Sequence, residues 1–279
     1  MNILNVSEFL PFVQKYFGHI IVIKYGGAAM QNTVLQSKVI KNICLLHSLG
    51  LKVILVHGGG PFINEWLCKL NITPKFHKGI RVTDHDTMEI VEMVLAGQIN
   101  KQLVSLFSQN FTQSIGLCGK DSNLIVASPL FDDPNNLVGQ VQSININLLN
   151  LLLENRYIPV IASIGLGSNN KTYNINADTV AGSIAGSLKA HTLVLLTDTP
   201  GIMLDIKNPL TLLKSLDLER VQQLKNNSII SGGMIPKVEC CVKALQAGVK
   251  STHIIDGRVS DSLLYELFTS SRIGSQILL

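Results

Sequence analysis

Short apolar runs and longer stretches with helical periodicity alternate along most of the chain. The runs are apolar, several of them rich in β-branched residues, and cover positions 20–23, 53–56, 193–196 and 253–255. Between them, apolar residues recur every three or four positions, as expected of helices with one buried face. Strands that alternate with helices are typical of a mostly parallel sheet that is covered on both faces. The pattern therefore predicts an α/β fold, a three-layer αβα sandwich around a mainly parallel central sheet.

Start and stop signals predict three helices in the first hundred residues. The first helix is followed by Gly50, a residue that favours the end of a helix. The second has Pro61 in its opening turn, a position that tolerates proline. The third is predicted to begin near Thr83, because Thr83 and Asp86 have the spacing of a capping box. Its apolar stripe indicates a core position and comprises Met88, Val91, Val94, Leu95 and Ile99.

The middle of the chain, from about residue 112 to residue 175, has a looser pattern. Turn signals at 133–136 and 167–170 separate short alternating pieces, and one helix is expected near 148–153. We interpret this region as hairpins that form a lid or rim.

A helix rich in small residues is predicted at 177–190, directly before the strand at 193–196. A second lobe is predicted to start at that strand. The predicted domains are an N-terminal lobe at 1–189, which includes an N-terminal helix, and a C-terminal lobe at 190–279.

Composition excludes several classes of protein. The 279 residues are 46% hydrophobic, enough to bury a sizeable core, and 15% charged. The small excess of 23 Lys and Arg over 19 Asp and Glu is spread along the chain, which does not suit nucleic acid. The longest apolar runs fall far short of the ~20 residues that a membrane span requires. No leader opens the sequence and the five cysteines form no Cys-x-x-Cys pair, so we expect a soluble protein with reduced cysteines.

Three glycine clusters lie where a predicted strand gives way to a helix. Backbone N–H groups at such a junction, together with the positive end of the helix dipole, favour an anion. The clusters consist of Gly26 and Gly27, of Gly58, Gly59 and Gly60, and of Gly232 and Gly233. The segment 116–121 lacks the Gly-Lys-Ser/Thr ending of a P-loop, and no Gly-x-Gly-x-x-Gly follows the first strand. A P-loop NTPase and a Rossmann dehydrogenase are both disfavoured.

Charged and amide side chains stand beside these glycines. Lys24 lies inside an apolar strand, where an unpaired charge is costly, so its side chain should face an anion or a carboxylate. The alternative, for Lys24 and for Lys237, is a lysine that snorkels to the surface or forms a salt bridge. The segment 174–178 offers two asparagines and Asp178 at the start of a helix. A helix cap is enough to explain Asn176, but it does not explain the other polar groups of the segment. Arg81 is a candidate for gripping a carboxylate, with a surface salt bridge as the alternative. The set suits phosphoryl transfer, in which a protein positions anions and neutralises charge.

These residues resemble the amino acid kinase family and, within it, the acetylglutamate kinases, over almost the whole chain. The motifs that carry the resemblance are Lys-Tyr-Gly-Gly-Ala-Ala-Met at 24–30, Val-His-Gly-Gly-Gly-Pro at 56–61, Gly-Ile-Arg-Val-Thr-Asp at 79–84, Val-Leu-Ala-Gly at 94–97, Asn-Ile-Asn-Ala-Asp at 174–178, Gly-Gly-Met-Ile-Pro-Lys at 232–237 and His-Ile-Ile-Asp-Gly-Arg at 253–258. The resemblance implies the amino acid kinase fold with two lobes. It also implies transfer of phosphate from MgATP to the γ-carboxylate of N-acetyl-L-glutamate.

The resemblance assigns roles to matching positions. Lys24 and Lys237 would stabilise the transferring phosphoryl group, and Asp178 would hold both lysines in place. The implied substrate-binding residues are Gly59, Gly60, Arg81 and Asn174. The implied nucleotide-binding residues are Gly26, Gly27, Asp198, Gly201, Gly232, Gly233 and Met234. Magnesium would be held mostly by phosphate oxygens and water, without a dedicated metal cage.

Regulation and assembly also follow from the resemblance. The N-terminal segment resembles the extra helix of arginine-inhibited members, which links dimers into a hexamer, and its predicted apolar face comprises Phe9, Leu10, Val13 and Phe17. Pro11 is expected to shorten or bend the start of that helix. Arginine would bind near this helix, the His253 strand and Glu266, although the stretch 268–275 departs from the acidic, glycine-rich form of that group. A PII signalling protein is a further candidate partner, and the candidate compartments are the cytoplasm and the plastid stroma.

Two other functions remain open at this point. A sister kinase of the same fold would act on another carboxylate or carbamate, such as aspartate or acetylaminoadipate, and only pocket shape separates it from the first candidate. A non-catalytic amino-acid sensor would keep the fold without the chemistry. The presence of Lys24, Asp178 and Lys237 speaks against the sensor.

Overall fold

An eight-stranded sheet forms the centre of the computed structural model, which describes residues 6–77 and 80–279. The strands are β1 Ile20–Tyr25, β2 Lys52–His57, β3 Phe76–His77, β4 Ile80–Arg81, β5 Ser114–Leu117, β6 Ile125–Pro129, β7 Val138–Ile144, β8 Ile158–Ala162, β9 Ile164–Gly167, β10 Thr172–Ile175, β11 Thr192–Thr197, β12 Ser215–Leu216, β13 Ser251–Asp256 and β14 Ser275–Ile277. The order in the sheet is β12-β14-β13-β11-β1-β2-β8-β5. Neighbours from β13 to β5 pair in parallel, and β14 is antiparallel to β13.

Helices cover both faces of the sheet. They are α1 Val6–Tyr16, α2 Thr33–Ser48, α3 Gly60–Lys69, α4 His85–Glu92, α5 Asn100–Gln109, α6 Ile146–Glu154, α7 Ala177–Ser187, α8 Leu218–Asn226, α9 Met234–Gln246 and α10 Ser262–Phe268. Helices α7 and α9 pack against each other and against β11, whereas α2 and α5 contact β2, β5 and β8. Because crossovers between parallel strands are right-handed, connections that run in opposite directions along the sheet lie on opposite faces. The predicted three-layer αβα sandwich is confirmed. Among the described residues, no helix is both long enough and apolar enough to cross a bilayer.

The four strands predicted from apolar runs are present as β1, β2, β11 and β13, each longer than its run by two or three residues. Helix α2 ends at Ser48, and Gly50 follows with a φ of +90°, a conformation that glycine adopts without strain. The five residues of the predicted stripe are all buried. They lie on a long helix in which a π-helical segment, Met93–Ile99, joins α4 to α5.

The interpretation of 112–175 as a lid or rim is wrong in one respect. The region does contain hairpins, and these close into a small barrel of β6, β7, β9 and β10. It also supplies β5 and β8, two strands of the central sheet. Both strands are short and are interrupted by Gly116 or Pro159, residues that weaken a strand pattern in the sequence.

The predicted capping box at Thr83 is also wrong. Asp84 caps α4, and its carboxylate accepts a hydrogen bond from the backbone N–H of Thr87 at 2.9 Å. The hydroxyl of Thr83 instead donates to the carbonyl of Arg81 at 3.1 Å. Thr83 is therefore available for the site described below.

The N-terminal helix packs inward with only part of its predicted apolar face. Helix α1 includes Pro11 and contacts α10, and Tyr16 is buried there with the half-buried Phe12 and Val13 beside it. Leu10 and Phe17 of the predicted face are 53% and 66% exposed. The side chain of Phe9 lies outside the described residues.

Candidate active site

The candidate site lies at the carboxyl ends of the parallel strands, where the chain connections diverge. Strand β1 leads through α2 to β2 on one side, and β11 leads through α9 to β13 on the other. In open α/β sheets such a switch point leaves a crevice beyond the carboxyl ends of the strands. Lys24 is the second-to-last residue of β1, and Asp198 directly follows β11. Residues that are far apart in sequence therefore meet at this edge.

Asp178 joins the two lysines that the sequence analysis singled out. Its two carboxylate oxygens lie 2.9 Å from Nζ of Lys24 and 2.9 Å from Nζ of Lys237. Asp178 stands in the first turn of α7, where the Asn176 side chain caps the helix by accepting from the N–H of Asp178 at 2.8 Å. Lys237 stands in the first turn of α9. The predicted interpretation of Asn176 as a helix cap and the predicted carboxylate partner of Lys24 are both confirmed.

The charge state of this group follows from its surroundings. The side chains of Lys24, Asp178 and Lys237 are only 10%, 6% and 18% exposed. Burial by itself raises the pKa of Asp178, but the two ammonium groups outweigh it and lower the pKa to about 2. Asp178 is consequently ionised at neutral pH. The three side chains together carry one net positive charge, which suits an anionic ligand.

Close packing of α7 on α9 brings Asp178 and Lys237 together. The thiol of Cys240, one turn after Lys237, donates to the backbone carbonyl of Asp178 at 2.9 Å. A Cβ on Gly182, one turn after Asp178, would lie 2.6 Å from that sulfur, so only glycine allows this approach. Cys240 thus contributes to the geometry of the site through its hydrogen bond to the backbone of Asp178.

Glycines line the site on the β1 side. A Cβ on Gly26 would lie 2.8 Å from Nζ of Lys24, so the ammonium group rests directly against the chain there. Gly27 has a φ of +75°, a left-handed conformation that favours glycine. Gly58 lies near the start of α7, since a Cβ on it would approach that of Ala177 to 3.4 Å. The first two glycine clusters thus flank the Lys24–Asp178 ion pair.

Arg81 and Asn174 form a second group, which Thr83 links. The hydroxyl of Thr83 accepts from the amide of Asn174 at 3.1 Å and donates to the carbonyl of Arg81. Arg81 donates from Nη2 to the carbonyl of Gly60 at 3.2 Å and to Asn64, and its guanidinium lies over the ring of Phe76. These contacts tie the arginine to the glycine cluster of residues 58–60.

The guanidinium of Arg81 is incompletely satisfied. The side chain is buried, and its Nη1 has no hydrogen-bond partner among the described residues. Burial also lowers the pKa of Arg81. An unpaired buried donor costs about 1–3 kcal/mol, a cost that a bound carboxylate would remove. The alternative of a surface salt bridge is excluded, because the arginine is buried and the structure gives it no acidic partner within the described part of the chain.

The predicted nucleotide-binding residues are spread along the C-terminal side of the crevice. Asp198 is exposed and accepts from the Thr197 hydroxyl at 3.1 Å. Gly232 has a φ of +54°, and Gly232 and Gly233 are exposed in front of α9, which begins at Met234. Gly201 is buried with a φ of +151°, and a Cβ on it would lie 2.5 Å from Oγ of Ser275, so backbone conformation and packing both favour glycine here.

Sequence reasoning missed Thr83 and Gly182 at this site. Thr83 was assigned to a helix cap, although its place two residues after Arg81 in an extended segment puts both on one side of the chain. Gly182 gave no local signal, because its role depends on a helix that lies more than fifty residues further along.

Comparisons with known proteins agree with this geometry. Residues 19–256 match the model of the amino acid kinase family, and the chain belongs to this family. A relative from Gracilaria tenuistipitata var. liui, 55% identical over 98% of this chain and 96% of its own length, is named acetylglutamate kinase. A relative of the same name from Trichormus variabilis is 51% identical over 98% of this chain and 92% of its own length.

A solved structure is similar over nearly all of the chain. N-acetylglutamate synthase from Neisseria gonorrhoeae, complexed with coenzyme A and N-acetyl-glutamate, superposes with a TM-score of 0.87 at 26% identity over 98% of this chain. The present chain spans 62% of the length of that synthase chain. The same enzyme has also been solved with coenzyme A and L-arginine, with a TM-score of 0.83 at 25% identity, and the match covers 100% of this chain and 65% of that one.

Proposed function

We propose that this chain transfers the γ-phosphoryl group of ATP to the γ-carboxylate of N-acetyl-L-glutamate and so forms N-acetyl-L-glutamyl 5-phosphate, a step of arginine biosynthesis. The observation that carries the proposal is the Lys24–Asp178–Lys237 group, with an ion pair of 2.9 Å on each side of one carboxylate. Relatives at about half identity that are named acetylglutamate kinase support the choice of acceptor.

The residues of this group would stabilise the phosphoryl group in transfer. A carboxylate oxygen attacks the γ-phosphorus, the bond to the β-phosphate oxygen breaks, and ADP leaves. Negative charge on the transferring group is then met by the ammonium groups of Lys24 and Lys237, with backbone N–H groups of Gly27 and Gly59 beside them. Asp178 holds the two lysines close together. No covalent enzyme intermediate is required.

The second group would bind the acceptor. Nη1 of Arg81, buried and unpaired, suits the α-carboxylate of acetylglutamate, and the amide of Asn174 suits the acetylated amine. Because Arg81 donates to the Gly60 carbonyl, this end of the acceptor would lie beside Gly59 and Gly60. The carboxylate at the other end would then point toward the lysines.

The nucleotide would lie across the C-terminal side of the crevice, against Asp198, Gly201, Gly232, Gly233 and Met234, with Gly26 and Gly27 near its phosphates. No group of three or more His, Cys, Asp or Glu side chains converges within the described ranges, so phosphate oxygens and water would complete the shell of Mg²⁺. The bound ion neutralises phosphate charge. This proposal assigns acceptor binding and dimerisation to residues 1–189 and nucleotide binding to residues 190–279.

A panel of acceptors tests the proposed function. We expect ATP-dependent hydroxamate formation with N-acetyl-L-glutamate, and at least about tenfold less with aspartate, glutamate or acetylaminoadipate, because one methylene is worth about 1–3 kcal/mol and an unpaired polar group more. A preference for another acceptor would assign the chain to a sister kinase. Absence of turnover with every acceptor would favour the sensor.

We further propose that arginine inhibits this activity from a site near α1, β13 and Glu266. The carboxylate of Glu266 is buried and accepts from Nδ1 of His253 at 2.8 Å and from the backbone N–H of Ile273 and Gly274. Three of its roughly four acceptor positions are filled, and one remains for a guanidinium. Millimolar arginine is expected to raise the KM for acetylglutamate or lower kcat, and unchanged kinetics would reject the proposal.

Assembly and compartment are extensions of the same proposal. The exposed Leu10 and Phe17 of α1 support a homo-oligomer, dimer-based and up to a hexamer, in which that helix contacts another copy. The alga Gracilaria and the cyanobacterial relatives are consistent with a plastid stroma or a cytoplasm. Control by a PII signalling protein stays a prediction from the resemblance.

A further inference from the structure

A buried histidine stands directly before the glycine cluster of residues 58–60. His57 is the last residue of β2 and is completely buried. The reaction proposed above gives its side chain no contact with either substrate. A buried imidazole needs hydrogen-bond partners, and the identity of those partners shows what the residue does.

The two ring nitrogens of His57 have different partners. Nδ1 lies 3.0 Å from the carbonyl oxygen of Gly58, which can only accept, so Nδ1 carries the proton and donates. Nε2 lies 3.1 Å from the side-chain nitrogen of Asn100 and therefore accepts from it. The Asn100 amide also donates to the carbonyl of Val160 at 2.8 Å, which anchors the pair to β8. Burial lowers the pKa of His57 to about 4, so the ring keeps this neutral form at neutral pH.

The helix that supplies Asn100 also packs against the glycine cluster. Asn100 is the first residue after the π-helical segment Met93–Ile99. Leu95 and Ile99 of that segment occupy the space beside Gly59, since a Cβ on Gly59 would lie 2.6 Å from Leu95 and would also overlap Cδ1 of Ile99. The cluster is thus held at the Gly58 carbonyl by a hydrogen bond and at Gly59 by packing.

We propose that His57, held by Asn100, is a positioning residue that fixes the backbone of Gly58–Gly60 so that the N–H groups of Gly59 and Gly60 face the transferring phosphoryl group and the acceptor, while the N–H of Gly58 donates to the carbonyl of Tyr25 at 3.1 Å. The inference rests on the proposed function for the ligands of these N–H groups. Backbone donors are effective only when they are held close to the productive geometry, which a free glycine chain cannot do by itself. The effect should therefore concern the acceptor and the chemical step more than ATP, because all of its predicted residues except Gly26 and Gly27 lie on the other side of the crevice.

A pair of near-isosteric variants tests the inference. The amide nitrogen of asparagine can take the place of Nδ1, so His57→Asn keeps the donor to Gly58, whereas glutamine reaches only the place of Nε2, so His57→Gln loses that donor. We expect His57→Gln to reduce kcat/KM for acetylglutamate by about tenfold or more, with the KM for ATP within about twofold of wild type. His57→Asn should stay within about threefold of wild type both in kcat/KM for acetylglutamate and in the KM for ATP. A histidine that only fills space would make the two variants alike.

Equal losses in the two variants, or a parallel rise in the KM for ATP, would overturn the inference. If His57→Gln does not fold, Ile99→Val serves instead, because it removes only the Cδ1 methyl that lies beside Gly59. Ile43→Val, an identical change in the core on α2, is its matched control. A KM for acetylglutamate that rises in Ile99→Val but not in Ile43→Val supports the inference. Equal KM values in the two variants overturn it. Turnover of the wild-type enzyme in the panel of acceptors tests the proposed function separately. If that panel shows a preference for a different acceptor, the variants are compared with that acceptor instead of acetylglutamate.

Discussion

Replacing Lys237 or Lys24 with methionine is expected to abolish phosphoryl transfer, with kcat lower by about 10³-fold or more, while the protein stays folded. Each lysine contributes one of the two ammonium groups on Asp178. Methionine keeps much of the length of the side chain but carries no charge, so the transferring phosphoryl group loses half of its cationic support. Asp178 retains one ion pair in either variant, which limits the loss of folding stability.

The measurement is kcat under saturating ATP and acetylglutamate, together with a thermal melt of each variant. Lys225→Met is the matched control, because Lys225 also pairs with a carboxylate, that of Glu239 at 3.1 Å, but on an exposed surface. The control should keep wild-type turnover. Near-normal turnover in both Lys24→Met and Lys237→Met would contradict the mechanism.

Replacing Arg81 with lysine is expected to raise the KM for acetylglutamate by roughly 10²-fold with little change in the KM for ATP. The guanidinium of Arg81 uses Nη2 for Gly60 and Asn64, and its Nη1 has no partner in the ranges that the structure describes, so one planar group would serve the loop and the acceptor together. A single ammonium group cannot make both sets of contacts. The lysine variant also loses the stacking of the guanidinium on the ring of Phe76.

Steady-state kinetics with each substrate varied in turn measure this effect. Arg220→Lys is the control, since Arg220 lies on the exposed helix α8 and donates to Gln223. An Arg81→Lys variant that binds acetylglutamate normally, or one that loses ATP instead, would show that Arg81 does not recognise the acceptor.

The sequence predicted the layers of this fold because the central strands are strongly apolar and each ends at glycine or a polar turn. It did not predict β5 and β8 as sheet strands, because Gly116 and Pro159 interrupt them and their neighbours in the sheet are distant in sequence. Of the residues with which α1 packs inward, only Val13 was predicted, for a related reason. Helical periodicity gives an apolar stripe, but the position of α10 decides that Phe12, Val13 and Tyr16 pack inward.

The site shows the same division between local and distant information. Lys24 and Asp178 could be singled out because a charge in an apolar strand and a carboxylate in a first helical turn are local signals. That one carboxylate joins both lysines, and that Cys240 and Gly182 set their approach, depends on how α7 packs on α9. The role of Thr83 was hidden because the same residue types also cap helices.

A crystal structure with ADP, magnesium, acetylglutamate and aluminium fluoride as a mimic of the transferring phosphoryl group would test the central claim most directly. The mechanism predicts that Nζ of Lys24 and Nζ of Lys237 both lie within hydrogen-bond distance of the fluoride atoms, with Asp178 still between the two lysines. Lysines that remain on Asp178 but point away from the fluoride, or that enter separate pockets, would contradict it.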